Sequence, residues 1–402
     1  MTALRRLALG PERAVGVLAV TQILCWGILI YPPVLTMPYL AEAHGWSLAF
    51  GMSGFSLALV ISGILSPTVG GLIDRHGGNM VMAPGALIGA AGMVLIASVD
   101  LWPVYFLGWA LLGVAMASNL YDPAFATLAR LFGATARRQI TFVTFAGGFA
   151  STVGWPATHL LLEAVGWRGT YLVFAAVLAC VVAPLHGLAL PRKAAPTPHL
   201  PSTSPHLRPA EPLRPEGRPF LLIAAAFAIY ALMLSGVTSN LLAMFQRAGL
   251  DAGTVVMLGA LFGPAQVAAR LADFLLAGRT HPLWIARGAV ALMACSFAML
   301  AFVGPSILVA GVFCVAFGAA NGVMTIARGA LPLLMFGPLG YGRVIGRIAR
   351  PALFVQASAP FVVATAVERF SDATVIEAGM VCAVAALGCF MALRPPRSAE
   401  GR

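Results

Sequence analysis

The chain has 402 residues, 60% of them hydrophobic and only 10% charged, a balance that excludes an ordinary soluble globular domain. Its formal charge of +11 reads as membrane topology and attraction to anionic lipid headgroups, not as a nucleic-acid footprint.

Apolar stretches long enough to cross a hydrocarbon core of about 30 Å recur along the chain. They must be helical, because each unpaired backbone group facing lipid would cost on the order of several kcal/mol. The spans predicted in order are 14–40, 47–72, 80–98, 103–131, 139–162 and 169–190, then 219–246, 253–278, 284–303, 306–335, 343–367 and 374–393. The first is too long and too polar, with Gln22, Trp26 and Tyr31, for a cleaved signal peptide. Between the two sets of six lies a polar stretch with too many prolines for a helix and too few apolar residues for a core. The expectation is an all-α membrane protein of twelve transmembrane helices. Residues 1–190 and 219–402 form two pseudo-symmetric six-helix bundles, joined by a cytoplasmic Pro-rich linker at 191–218.

Basic residues set the orientation. Loops 41–46, 99–102, 163–168, 247–252, 304–305 and 368–373 hold only Arg168, Arg247 and Arg369, whereas the termini and opposite loops hold 15. Arg130, Arg287, Arg343, Arg347 and Arg350 lie near the matching helix ends. This places both termini and the linker in the cytoplasm. Heavy Arg and Ala usage with a single Lys suggests a bacterial source, hence the inner membrane. All six cysteines fall within apolar spans, without the spacing of a metal site or an oxidised pair. There is no G-x-x-x-x-G-K-[ST] phosphate loop and no enzyme constellation, so neither ATP nor a cofactor is expected.

Polar side chains inside spans carry the functional signal, since a charge at mid-bilayer costs roughly 3 kcal/mol or more unless paired or wetted. Asp122 lies about 28 Å along its span from Pro103 at 1.5 Å per residue. It reads either as a proton carrier or as a structural partner of Arg130 or another helix. Arg270 and Asp273, three apart, share a face of the eighth span, where a local ion pair is the plainer reading. Gln266 is one turn above Arg270. On the tenth span Asn321, Thr325 and Arg328 form a stripe, with Asp273 as the plainer partner for Arg328. Pro32, Pro33, Pro67, Pro123, Pro156, Pro264 and Pro351 mark expected kinks.

The two halves repeat at an offset near 200: Gly70 to Asp74 against Ala269 to Asp273, Ala117-Ser118-Asn119 against Ala319-Ala320-Asn321, and Phe132-Gly133 against Phe336-Gly337. The loop after the second span reads Gly70-Gly71-Leu72-Ile73-Asp74-Arg75-His76-Gly77-Gly78-Asn79. It resembles the G-x-x-x-D-R-x-G-R-R signature of the major facilitator superfamily, with Gly78 and Asn79 replacing the closing basic pair. The resemblance covers the whole chain. It implies a gate on the cytoplasmic side, assigned to Gly70, Asp74, Arg75, Gly77, Arg130 and Asp273. It also implies a cavity lined by the first and seventh helices; the polar residues in the spans give Gln22, Trp26, Asn119, Tyr230, Asn240, Gln266, Arg270, Asn321 and Arg328 as candidate substrate contacts and Asp122 as the candidate for the proton. The G-x-x-x-G-P-x-x-G-G pattern of proton-driven exporters is only partly met by residues 147–156. Monocarboxylate porters of the same superfamily also place an Arg and an Asp on the eighth helix, in the opposite order.

The function expected is secondary active transport of a small solute by alternating access, coupled to protons, in a monomer surrounded by lipid, with a small organic anion as substrate. The alternatives are an efflux pump for drugs or a metalloid and a non-transporting membrane receptor.

Overall fold

The computed structural model describes residues 10–98, 100–191, 214–275 and 281–394. Most of the expected linker and the end of the predicted 253–278 span lie outside these residues. Among the described residues the chain is helical, with no strand.

In chain order the first half comprises α1 (Glu12–Leu29), α2 (Pro32–His44), α3 (Leu48–His76), α4 (Gly78–Ser98), α5 (Trp102–Asn119), α6 (Tyr121–Phe132), α7 (Arg137–Gly147) and α8 (Ala150–Val177). Two π turns, Leu178–Val182 and Leu185–Ala189, continue α8. The second half comprises α9 (Gly217–Arg247), α10 (Ala252–Ala260), α11 (Phe262–Leu275), α12 (Pro282–Val303), α13 (Ile307–Phe336), α14 (Tyr341–Arg369) and α15 (Asp372–Met391). Nine helical stretches among the described residues are long and apolar enough to cross a membrane.

Several predicted spans are jointed rods. The first breaks ahead of Pro32, the fourth at Leu120 ahead of Pro123, and the eighth at Leu261 ahead of Pro264. Proline lacks the N–H of the helix ladder and pushes its predecessor out of helical geometry. Pro67, Pro156 and Pro332 lie inside continuous helices. The loop expected at 163–168 is reduced to a hinge at Gly166, whose φ of 69° a side chain would strain.

One apolar core is built from residues between Phe220 and Leu393. Two others are built almost wholly from residues between Ala14 and Leu190, with a few side chains added from α13 and α14. The halves meet along α3 and α14, where Gly70 lies against the Gly342 backbone and Gly346 against that of Ser66, so any Cβ at these glycines would clash. They also meet where α6 and α7 touch α11, α13 and α14. The contacts of Gly70 and Asp74 with the first turn of α14 lie beside Gly77 and residues 337–340.

Candidate functional site

The site grows out of the break in the fourth rod. Pro123 has no N–H to bond the Asn119 carbonyl, leaving that oxygen without its helical donor. Gln22 of α1 supplies one, with Nε2 donating to the Asn119 oxygen at 2.7 Å. Trp26 Nε1 in turn donates to Gln22 Oε1 at 3.2 Å, and its ring packs 4.8 Å from that of Tyr121. The polar pair on α1 thus anchors the joint and presents an aromatic face beside it. Tyr31 lies within electrostatic range of Tyr121 and Arg270 and turns its hydroxyl to Ser151.

Arg270 of α11 occupies the boundary between the halves and is only 4% exposed. Its Nε donates to the Gly322 carbonyl of α13 at 3.2 Å, and one terminal nitrogen to the Thr144 carbonyl of α7 at 3.2 Å. The other donates to Gln266 Oε1 at 3.3 Å and Thr325 Oγ1 at 3.4 Å. Tyr121 brings its hydroxyl to the same guanidinium. Among the described residues every hydrogen-bond acceptor of Arg270 is neutral, which is unusual for a buried cation. The local ion pair expected with Asp273 is not formed. Arg270 turns toward α13 and α7, and Asp273 has Arg137 as its electrostatic partner.

Asp122 and Arg328 pair across the halves, with an Arg328 terminal nitrogen 2.7 Å from Asp122 Oδ2. This corrects the expectation that Asp273 would hold Arg328, and it excludes Arg130 as the partner of Asp122. Among the described residues Asp122 Oδ1 is buried with no hydrogen-bond partner. Beside Arg328 a small cavity is lined by Phe227, Tyr230, Leu234, Ala352 and Gln356. Tyr230 donates its hydroxyl to Asn321 Oδ1, and Thr325 donates to the Asn321 carbonyl at 2.9 Å. Among the described residues no hydrogen bond links Asn240 to this cluster; its amide bonds the Gly236 carbonyl of its own helix at 3.2 Å.

Several residues of the expected gate lie where the end of α3 meets the start of α14. Gly77 ends α3 at φ 91°, which fits the glycine of the loop signature. Asp74 accepts hydrogen bonds from the backbone N–H groups of Gly342 and Arg343, both at 2.9 Å. Those are orphan donors in the first turn of α14, whose N-cap Gly340 has no side chain to satisfy them. Asp74 therefore caps a helix of the opposite half. Arg130 binds the carbonyls of Ile73 and Asp74 at the C-terminal end of α3, where a cation suits the helix dipole. Arg75 is exposed. Sequence reasoning missed the rings of Phe142 and Phe145 against Phe274, at 6.1 and 6.4 Å, which close α7 on α11. It also missed Thr144, which contributes through its carbonyl and so leaves no signature in residue type.

Beyond the site, the opposite end of the first half carries an ionic cluster. Asp100 meets His44 Nε2 at 3.0 Å and also pairs with Arg168, which lies over the ring of Trp167. In the second half a cleft of about 300 Å³ is lined by apolar side chains, among them Met233, Phe297, Phe313, Val363 and Cys382.

A model of the Major Facilitator Superfamily matches residues 17–349. The chain belongs to that superfamily, a family of membrane transporters and not of enzymes. Its fold is similar to the crystal structure of the human organic anion transporter MFSD10 (TETRAN), with a TM-score of 0.71 and 15% identity, covering 97% of this chain and 99% of that one. It is equally similar, at a TM-score of 0.71 and 12% identity, to the proton:xylose symporter XylE bound to 6-bromo-6-deoxy-D-glucose, covering 96% and 97%. A search of curated proteins returned no sequence match.

Proposed function

We propose that this chain carries a small organic anion across a bacterial cytoplasmic membrane by alternating access, coupled to protons. The observation that carries this reading is Arg270, a guanidinium at the seam of the halves with only neutral hydrogen-bond acceptors. A buried cation without a counter-ion gains most from an arriving anion. Two of its side-chain contacts, to Gln266 and Thr325, are long, so a carboxylate can replace them with a two-pronged bond. One fold neighbour is described as an organic anion transporter, although 15% identity carries the fold and not the substrate.

Two bundles, 1–190 and 219–402, rock about the site, with the linker and both termini in the cytoplasm. On that orientation the capped, ring-packed end is the cytoplasmic one, and the molecule is closed on that side. Asp122 is the proton carrier: neutralising it removes the charge that holds Arg328 and loosens one clasp between the halves. Gly70, Asp74, Arg75, Gly77, Arg130 and Asp273 form the gate. Counterflow into proteoliposomes, with panels of organic anions, drugs and arsenite as competitors, tests the reading. Inhibition by carboxylates and not by neutral compounds is expected.

The apolar cleft with Cys382 favours a second reading, efflux of an apolar compound. Competition by neutral or cationic drugs in the same assay would select it.

A further inference from the structure

Helix α14 carries Arg343, Arg347 and Arg350 at i, i+4 and i+7, which places them on one face over about 10 Å of its length. All three are exposed. None belongs to an ion pair among the described residues. Arg347 reaches the Pro215 carbonyl at 3.3 Å and lies over the Phe220 ring, 4.6 Å from its centre. Arg350 reaches across to the Ile64 carbonyl of α3 at 3.4 Å. These contacts are neutral and long, and a guanidinium has five N–H donors, so most of each fork remains open. Two carboxylates beside this cluster do not neutralise it: Asp74 is engaged by the backbone amides of Gly342 and Arg343, and Glu216, next to the Pro215 carbonyl that Arg347 meets, forms no ion pair among the described residues.

The same face of α14 continues as Phe354 and Phe361, 38% and 78% exposed, beside Ile64 at 51%. A row of open cations that runs into a bare apolar strip matches an amphiphile with an anionic head. We propose that this stripe binds an anionic phospholipid, with its phosphate on Arg347 and Arg350 and its acyl chains along Phe354 and Ile64. Arg343 is placed for the second charge of a two-phosphate lipid. The apolar strip is what selects a lipid over free phosphate, which would gain nothing from Phe354 or Ile64. Since Arg350 touches α3 from α14, a lipid held here spans the seam and favours the state in which that seam is closed, to the extent that it binds that state better. The proposal rests on membership of a membrane transporter family and not on the anion-transport reading.

The test is native mass spectrometry of the purified full chain, titrated with phosphatidylglycerol, cardiolipin or phosphatidylcholine, with and without millimolar inorganic phosphate. Each arginine near the surface is worth about a fivefold change in binding, so two give about thirtyfold. Wild type should retain phosphatidylglycerol at least about tenfold over phosphatidylcholine. Arg347→Gln with Arg350→Gln should abolish that preference, while Lys at both positions and Arg168→Gln at the opposite end of the molecule should preserve it. If the double Gln variant fails to fold, Arg347→Gln alone should show about a fivefold loss. A wild type without preference, a Gln variant that keeps it, or displacement by inorganic phosphate would each overturn the proposal.

Discussion

Asp122 on α6 and Arg328 on α13 form an ion pair of 2.7 Å that joins one half of the protein to the other, with side chains only 15% and 23% exposed. Such a pair is screened less than a surface one, and removing one partner leaves the other charge poorly solvated. One Asp122 oxygen is buried and unbonded, which leaves a place for a proton.

Asp122→Asn should therefore permit downhill exchange while accumulation driven by an imposed proton gradient falls to background in proteoliposomes. The variant should also melt at a lower temperature, because Arg328 loses its counter-charge. Adding Arg328→Gln should recover stability without recovering coupling, a non-additive result expected of residues in contact. Normal accumulation by Asp122→Asn would move the coupling group elsewhere.

Asp74 acts as a cap supplied from across the seam, and a lost cap costs about 1 kcal/mol. Asp74→Ala should weaken the closed end, slowing transport while substrate affinity at equilibrium changes by no more than about threefold. Asp74→Asn keeps an acceptor and should be milder. Turnover and binding measured on the same preparation decide it, since lost binding with normal turnover would contradict a gating role.

The helical layout was legible because the apolar spans are long and the prolines mark their joints. Asp74 was legible as part of a loop signature, but its partners were not: the amides of Gly342 and Arg343 belong to the backbone, which every residue shares. Asp122 stood out as a carboxylate in an apolar span. That it pairs with Arg328 and not Arg130 is decided by how the halves dock, which no local spacing encodes. In the partly met exporter pattern, Gly147 and Gly148 leave room for the Tyr121 hydroxyl and the Arg270 guanidinium, while Gly154 lies against the Gly27 backbone. Arg270 and Asp273 share a helix face yet serve different neighbours, because tertiary contacts outweigh an i, i+3 ion pair worth only about 0.2–0.5 kcal/mol.

Arg270→Lys keeps the charge but cannot reproduce a planar fork that reaches α7, α11 and α13 together. A hydrogen bond to a charged group is worth about 1.5–3 kcal/mol, so carboxylate binding should weaken at least about tenfold. Neutral analogues should compete with neither form. Unchanged carboxylate affinity in the Lys variant would remove Arg270 from the substrate site.

The opposite end of the first half should show its own acid dependence. Hydrogen bonds from His44 and then from Arg168 hold the Asp100 carboxyl below the usual carboxylate range. A carboxyl that is more acidic in the folded protein than in the unfolded chain, where it titrates near about 3.9, stabilises the fold above that value and loses its contribution as pH falls below it. Because Asp100 is exposed, screening keeps the effect small. Asp100→Asn should thus lower the melting temperature slightly at pH 7, and the gap from wild type should narrow only below about pH 4. Raising ionic strength at pH 7 should shrink the same gap, as expected for a solvent-facing cluster. A difference that persists unchanged at pH 3, or one that vanishes already near pH 6, would show that Asp100 acts through packing or through another titrating group.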